Sequence, residues 1–148
     1  AAANGISVGA VSVDFAAMQK RKAKVVKKLV SGVSGLISAN GVTVVKGAAR
    51  FKSASLIEAG TAEDPVEIPF DRAIIASGSV PSSVPIPGAN LEGVVDSTGA
   101  LSLEAVPESL CIIGGGVIGV EMAHIYQRLG TKITIVEMLP DILMTQDA

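Results

Sequence analysis

An α/β fold, with a parallel strand–helix–strand unit late in the chain and an antiparallel β-meander before it, is predicted by three features of this 148-residue sequence. First, Leu110 to Ile113 is strand-like, Val117 to Leu129 is helix-like, and Gly114, Gly116 and Gly119 fall between and into them with GxGxxG spacing. Second, short strand-like segments at Val42 to Lys46, around Ser55 to Glu58 and at Val66 to Phe70 are separated by Gly60 and Asp64-Pro65. Third, 49% of residues are hydrophobic but only 3% aromatic, so a core must be built from Val, Ile, Leu and Ala, as in parallel sheets.

The elements follow in order. From Asp14 to about Asn40, residues Phe15, Met18, Val25, Val26, Leu29, Val33, Leu36 and Ile37 recur at helical spacing, with Asp14 as N-cap and Asn40-Gly41 as the stop. Gly32 and Gly35 weaken that helix by about 1 kcal/mol each relative to Ala. After the meander, Asp71 to Ala76 predicts an apolar strand (Ala73-Ile74-Ile75-Ala76) that ends in Ser77-Gly78-Ser79. Pro81, Pro85 and Pro87 then remove too many N–H donors for a sheet and read as a connection between domains. Asp96 and Ser97 cap a short helix containing Leu101 and Leu103, stopped at Val106-Pro107. In the helix after the glycines, Ile118, Met122, Ile125 and Leu129 form the predicted buried stripe, and Gly130 sits where a helix ends. Thr131 to Val136 alternates as the second strand, and Glu137 closes it.

The glycines carry the chemistry. A turn off the strand at Gly114, close backbone approach to a pyrophosphate at Gly116, and close helix–sheet packing at Gly119 are the three tasks of a dinucleotide fingerprint. Free N–H groups and the positive end of the helix dipole would then meet the phosphates. Glu137 lies about twenty residues past the first glycine, where a carboxylate accepts from a ribose 2′-OH and repels a 2′-phosphate, which predicts NAD over NADP. A plain strand-to-helix turn is the competing reading of the glycines; the flanking strand, helix, cap and acidic end favour the fingerprint. For Glu121 the competing reading is a solvated helix carboxylate.

Other features narrow the function. A net charge of −2 gives no general attraction to nucleic acid or anionic membranes. The basic run Lys20, Arg21, Lys22, Lys24, Lys27 and Lys28 lacks aromatic stacking partners and reads as a solvated helix face. Cys111 is the single cysteine, which excludes a disulfide, a CxxC pair or a cysteine zinc site within these residues, and it is expected to be a small buried hydrophobe. His124, the only histidine, lies off the stripe and is expected at the surface. Ala1 to Val11 lack the basic start and apolar core of a secretory signal, and no apolar run approaches the roughly twenty residues that span a bilayer. The chain is therefore expected to be soluble and intracellular.

The combined pattern resembles the flavoprotein disulfide reductases, class I pyridine nucleotide-disulfide oxidoreductases, and most closely the branch acting on dihydrolipoyl groups. The match runs through Asp14-Phe15 to Val26, Val42 to Phe51, Ile74 to Ser79, Asp96 to Leu101, and the fingerprint through Glu137. The resemblance implies partial FAD/NAD(P)-binding Rossmann-like domains: 1–80 as the later part of an FAD-domain segment, 81–107 as a connection, and 108–148 as the first βαβ unit of an NAD domain. It implies FAD and NAD as cofactors. It places Ala49 at the FAD adenine and Ser77, Gly78 and Ser79 near the flavin, with Ser77 where Thr is usual. Gly114, Gly115, Gly116, Val117, Ile118, Gly119, Val120 and Glu121 would contact NAD, Glu121 near the nicotinamide end and Glu137 on the adenosine ribose.

The same resemblance implies a homodimer that serves the lipoyl groups of 2-oxo acid dehydrogenase complexes, without nucleic-acid or membrane partners, in the cytoplasm or, in a eukaryote, the mitochondrial matrix. The family's redox Cys-x4-Cys and its His-Glu acid/base pair are not among these residues, so the sequence is expected to be an internal stretch of a longer enzyme, inactive alone, with no catalytic residue of its own. Two alternatives remain: another disulfide reductase of the mercuric or glutathione type, or a non-catalytic dinucleotide-binding module.

Overall fold

The computed structural model describes residues 9–144; the leader reading of Ala1 to Val11 falls largely outside them. Two compact units divide the chain, one of Val25–Ser79 and one formed by Val80 onward together with the chain before Val25.

The long helix α1 spans Phe15–Ala39. Asp14 caps it as predicted, its Oδ1 accepting from Ala17 N–H at 2.9 Å. At the other end Gly41 N–H donates to Ser38 O and Val42 N–H to Ile37 O, a Schellman closure on the expected Asn40-Gly41 stop. Gly32 and Gly35 do not interrupt it. None of its residues is buried, and Val25, Val26, Leu29, Val33 and Leu36 are exposed. In the first turns Gln19 Nε2 donates to Leu101 O at 3.2 Å and Leu103 O at 2.9 Å, and Lys22 Nζ donates to Leu101 O. Lys22 thus departs from the purely solvated face expected of the basic run.

Within Val25–Ser79 the meander is present, but its first strand is shifted. Strands β1 (Ala48–Ser53), β2 (Leu56–Gly60) and β3 (Pro65–Pro69) form an antiparallel sheet in that order. Val42 to Lys46, predicted as a strand, is not one, and neither is Asp71 to Ala76, where Ile74 and Ile75 are 94% and 76% exposed. Alternation supplies the side-chain pattern of a strand; the hydrogen-bond ladder needs a second strand, and none among the described residues pairs with either segment.

A register shift between Phe51 and Ser53 bulges β1 at Lys52. The shifted Lys52 Nζ reaches Glu67 at 2.7 Å and Glu58 at 3.4 Å, while Arg50 Nη2 meets Glu58 at 2.6 Å. These cations offset a like-charge pair, since Glu58 and Glu67 stand directly opposite on β2 and β3. Arg50, and then Lys52, hold the Glu58 carboxyl below its ordinary range. Phe51 and Phe70 close the sheet edge-to-face, with ring centroids 5.8 Å apart.

The second unit carries the strand–helix–strand predicted around the glycines. Strand β4 (Ser109–Ile113) and β5 (Lys132–Val136) pair in parallel from Ser109↔Lys132 to Ile113↔Val136, joined by α3 (Val117–Arg128). A one-turn helix α2 (Ser97–Ala100) precedes them, with Asp96 Oδ1 accepting from Gly99 N–H at 2.8 Å. It ends at Ala100, so Leu101 is its C-cap and Leu103 lies beyond it, shorter than predicted.

The phase of α3 differs from the prediction. Its buried residues are Met122, Ala123 and Tyr126, whereas Ile118 is 60% and Ile125 40% exposed. Gly119 sets this phase by lying against β4, which brings the positions three, four and seven residues later onto the same face. Tyr126, 2% exposed, donates its hydroxyl to Ala100 O and so ties α3 to α2. Burial pushes its phenol pKa up. Replacing Tyr126 with Phe leaves the Ala100 carbonyl without that donor and is expected to destabilise by about 1–3 kcal/mol; an unchanged unfolding midpoint in denaturant would contradict this role.

Cys111 is exposed, not buried as expected. Leu110 and Ile112 turn to the face shared with α3, while Ser109, Cys111 and Ile113 point to a face that no described element covers. The same alternation runs along β5. His124 is exposed, as expected.

Candidate functional site

The candidate site is the loop between β4 and α3. Gly114 takes φ +105°, a left-handed conformation that lets the chain turn off the strand, and its N–H continues the ladder to Val136 O at 2.9 Å. A Cβ at Gly119 would overlap the Gly114 carbonyl oxygen and lie 3.3 Å from Ile112 Cγ2. A Cβ at Gly116 would meet nothing within 4 Å, so that backbone faces open space. The three glycines therefore answer three different demands: a turn, an open approach and a tight crossing.

Gly116 is the N-cap of α3 in extended conformation, with no side-chain cap. The first helical hydrogen bond is Val120 N–H to Gly116 O at 3.0 Å. The N–H groups of Val117, Ile118 and Gly119 thus have no intrahelical partner and none among the described residues, and they are concentrated at the positive end of the helix dipole. An anion meeting this end finds backbone donors and no side chain in the way at Gly116. At the far end, Gly130 N–H donates to Gln127 O and Thr131 N–H to Tyr126 O, the Schellman closure that turns the chain into β5.

Glu137 follows β5 directly and reaches back to the loop. Its Oε2 accepts from Gly115 N–H at 2.6 Å, and its Oε1 accepts from Met138 N–H at 2.7 Å and Leu139 N–H at 2.9 Å. The Leu139 and Gly115 amides hold its carboxyl below the ordinary range, so it stays ionised. Gly115 is also bound on its other side, where Leu143 N–H donates to its carbonyl at 2.9 Å.

Gly114 to Val120 and Glu137 are thus brought together at one end of the parallel pair. Glu121 stands exposed one turn further along α3. Gly115 differs from its neighbours, since its N–H is already committed to Glu137. Ala49, Ser77, Gly78 and Ser79 belong to the other unit: Ala49 lies on β1 opposite Ala59, and Ser77–Ser79 is exposed chain outside helix and strand, with Gly78 at φ +75°. Sequence reasoning missed Leu143, whose contact is made through its backbone and leaves no signature in residue type. It also missed Tyr126, which the spacing from Gly119 and Met122 would have identified.

A two-stranded parallel pair joined through a glycine loop and a helix, with an acidic residue closing its second strand, is the βαβ geometry of Rossmann-like folds. The chain belongs to the pyridine nucleotide-disulphide oxidoreductase family, whose profile matches residues 2–148. It is 44% identical over 140 residues to a dihydrolipoyl dehydrogenase of Geobacillus stearothermophilus, covering 94% of this chain and 29% of that protein. The mitochondrial dihydrolipoyl dehydrogenase of Pisum sativum is 40% identical over 146 residues, 98% of this chain and 29% of the relative. Among solved structures, the Cu(II) complex of the HOCl-induced flavoprotein disulfide reductase RclA from Escherichia coli superposes with a TM-score of 0.82 at 34% identity, covering 91% of this chain and 31% of that one. The chain thus spans about 30% of the length of the curated relatives it matches. Among the described residues no helix is long and apolar enough to cross a membrane.

Proposed function

We propose that this chain supplies the NAD half-site and part of the FAD cradle of a flavoprotein that oxidises dihydrolipoyl groups of 2-oxo acid dehydrogenase complexes and reduces NAD. The observation that carries the reading is the loop itself: open backbone at Gly116, unpaired donors at Val117 to Gly119, and an ionised Glu137 beside them. These residues fit a dinucleotide. The helix N-terminus would hold the pyrophosphate and Glu137 the adenosine ribose, repelling a 2′-phosphate; Glu121 would lie toward the nicotinamide. Residues 1–80 would belong to an FAD domain, with the Ala49 backbone at the adenine and Ser77, Gly78 and Ser79 near the flavin, although the chain before Val25 groups with the unit that holds the glycine loop. Residues 81–107 connect it to the NAD domain, which begins at 108. When bound, FAD would relay the electrons from the dithiol to the nicotinamide of NAD.

The sequence holds one cysteine, so a redox disulfide cannot form within these 148 residues, and the polypeptide alone is expected to be inactive. The complete enzyme would be a homodimer, cytoplasmic or, in a eukaryote, of the mitochondrial matrix. The test is a titration of a preparation of verified mass with NAD and NADP, followed by assay with dihydrolipoamide. NAD should bind more tightly than NADP, and no NADH should form. Equal affinity for the two nucleotides would defeat the assignment of Glu137, and turnover by the 148-residue chain would defeat its inactivity.

A further inference from the structure

We infer that residues 137–143 form a strap latched onto Gly115, and that this latch holds the glycine loop in the shape that a dinucleotide phosphate meets; the inference rests on the NAD reading above. Gly115 is buried and held through both of its backbone polar groups, the N–H and the carbonyl. Glu137 Oε2 takes its N–H at 2.6 Å, and Leu143 N–H donates to its carbonyl at 2.9 Å. Ile142 closes over it, with Cγ2 2.5 Å from where a Cβ would stand.

The strap is held at its base as well. Glu137 Oε1 accepts from the Met138 and Leu139 amides, so the carboxylate cannot rotate without breaking three hydrogen bonds. At its far end Leu143 has φ +59°, the left-handed region that a bulky side chain adopts only where its surroundings impose it. Here the imposing contact is the Gly115 carbonyl.

The latch and a ligand are compatible. A carboxylate offers about four lone-pair sites, of which the three amides use three. The remaining site, on Oε2, is available to a ribose hydroxyl without releasing Gly115. Gly116 lies outside the strap's cover, with open space where its Cβ would be. Glu137 is therefore a positioning residue for the loop in addition to any contact with the ribose, and Leu143 positions the same loop while making no contact with the nucleotide.

Amide hydrogen exchange in the ligand-free full chain tests this. Leu143→Pro removes the N–H and cannot take the positive φ. If the strap acts as one unit, releasing its far end also frees Glu137 from the Gly115 N–H, and exchange at Gly115 should speed up by about tenfold or more. The Gly114 amide, bonded to Val136 O, should be unchanged and reports that β4 and β5 remain paired. Glu137→Gln should release Gly115 and also Leu143. If either variant leaves the other end of the strap protected, the two contacts are independent and the strap is refuted.

In NAD titrations Leu143→Pro should weaken binding by about tenfold if loop order is lost. Unchanged NAD affinity alongside fast Gly115 exchange would show that the latch does not shape the site, and would overturn the inference. Failure of the unsubstituted chain to bind NAD would instead overturn the dinucleotide reading, because the exchange measurements contain no ligand and judge the latch alone.

Discussion

Gly119→Ala is expected to pry α3 from β4 and to abolish NAD binding. The added Cβ would overlap the Gly114 carbonyl oxygen, with the Gly114 carbonyl carbon at 3.2 Å and Ile112 Cγ2 at 3.3 Å. Backbone atoms cannot step aside by changing rotamer, so the helix must shift. Two effects oppose each other: Ala is favoured over Gly within a helix by about 1 kcal/mol, while overpacking a tight contact costs about 1–3 kcal/mol and more against backbone. The overlap involves the turn itself, so the clash wins. A net loss of about 2 kcal/mol would lower the melting temperature of this compact unit by about 8–16 °C. Because Gly114 also orients the loop, the donors of Val117 to Gly119 move with the helix. Circular dichroism melting and NAD titration check both effects; a variant that melts with the wild type and binds NAD equally would refute the tight crossing of α3 over Gly114.

The largest effect in the other unit should come from Gly47→Ala. Gly47 has φ +139°, and a Cβ there would overlap the Gly60 carbonyl and lie 2.6 Å from Gly60 Cα. Strain and clash act in the same direction here, unlike at Gly119, since Gly47 is outside any helix and gains no propensity from the change. The site opens the β1–β2 ladder, where Ala48 pairs with Gly60. That sheet has one buried residue, Ala59, so it has little apolar burial to offset the cost. An expected loss of about 3 kcal/mol or more should unzip β1 from β2. Amide exchange at β2 would rise, while the β4–β5 amides, in a separate compact unit, should keep their protection. Unchanged exchange along β2 would refute the close approach of Gly47 to Gly60.

The exposed faces have a common physical origin. Ile74 and Ile75, the α1 stripe at Val25 to Leu36, the Cys111 and Ile113 side of β4, and Ile118 and Ile125 on α3 are all apolar and all uncovered among the described residues. Each was legible as an apolar pattern. Periodicity reveals which residues share a face, but covering that face requires another element whose position is not written locally. The reading of Cys111 as buried failed for that reason: strand and apolar neighbours were right, and the second covering layer is not among the described residues.

What the sequence by itself determined are the features closed within one or two turns of chain. Asp14 and Asp96 cap helices, Gly41 and Gly130 end them, and Gly114 turns off the strand, because each interaction involves residues a few positions apart. The family is legible at the same level, since the glycine spacing and Glu137 are local patterns at set distances. Only the tertiary structure decided which runs became strands, which face of α3 was buried, and what Glu137 holds. Val42 to Lys46 and Ala73 to Ala76 have the side chains of strands without a partner ladder, whereas Ala48 to Ser53 is paired by Leu56 to Gly60. Glu137 and Leu143 meet Gly115 across the turn from β5, through backbone groups that every residue carries. Such contacts depend on where the chain returns, and residue type does not encode it.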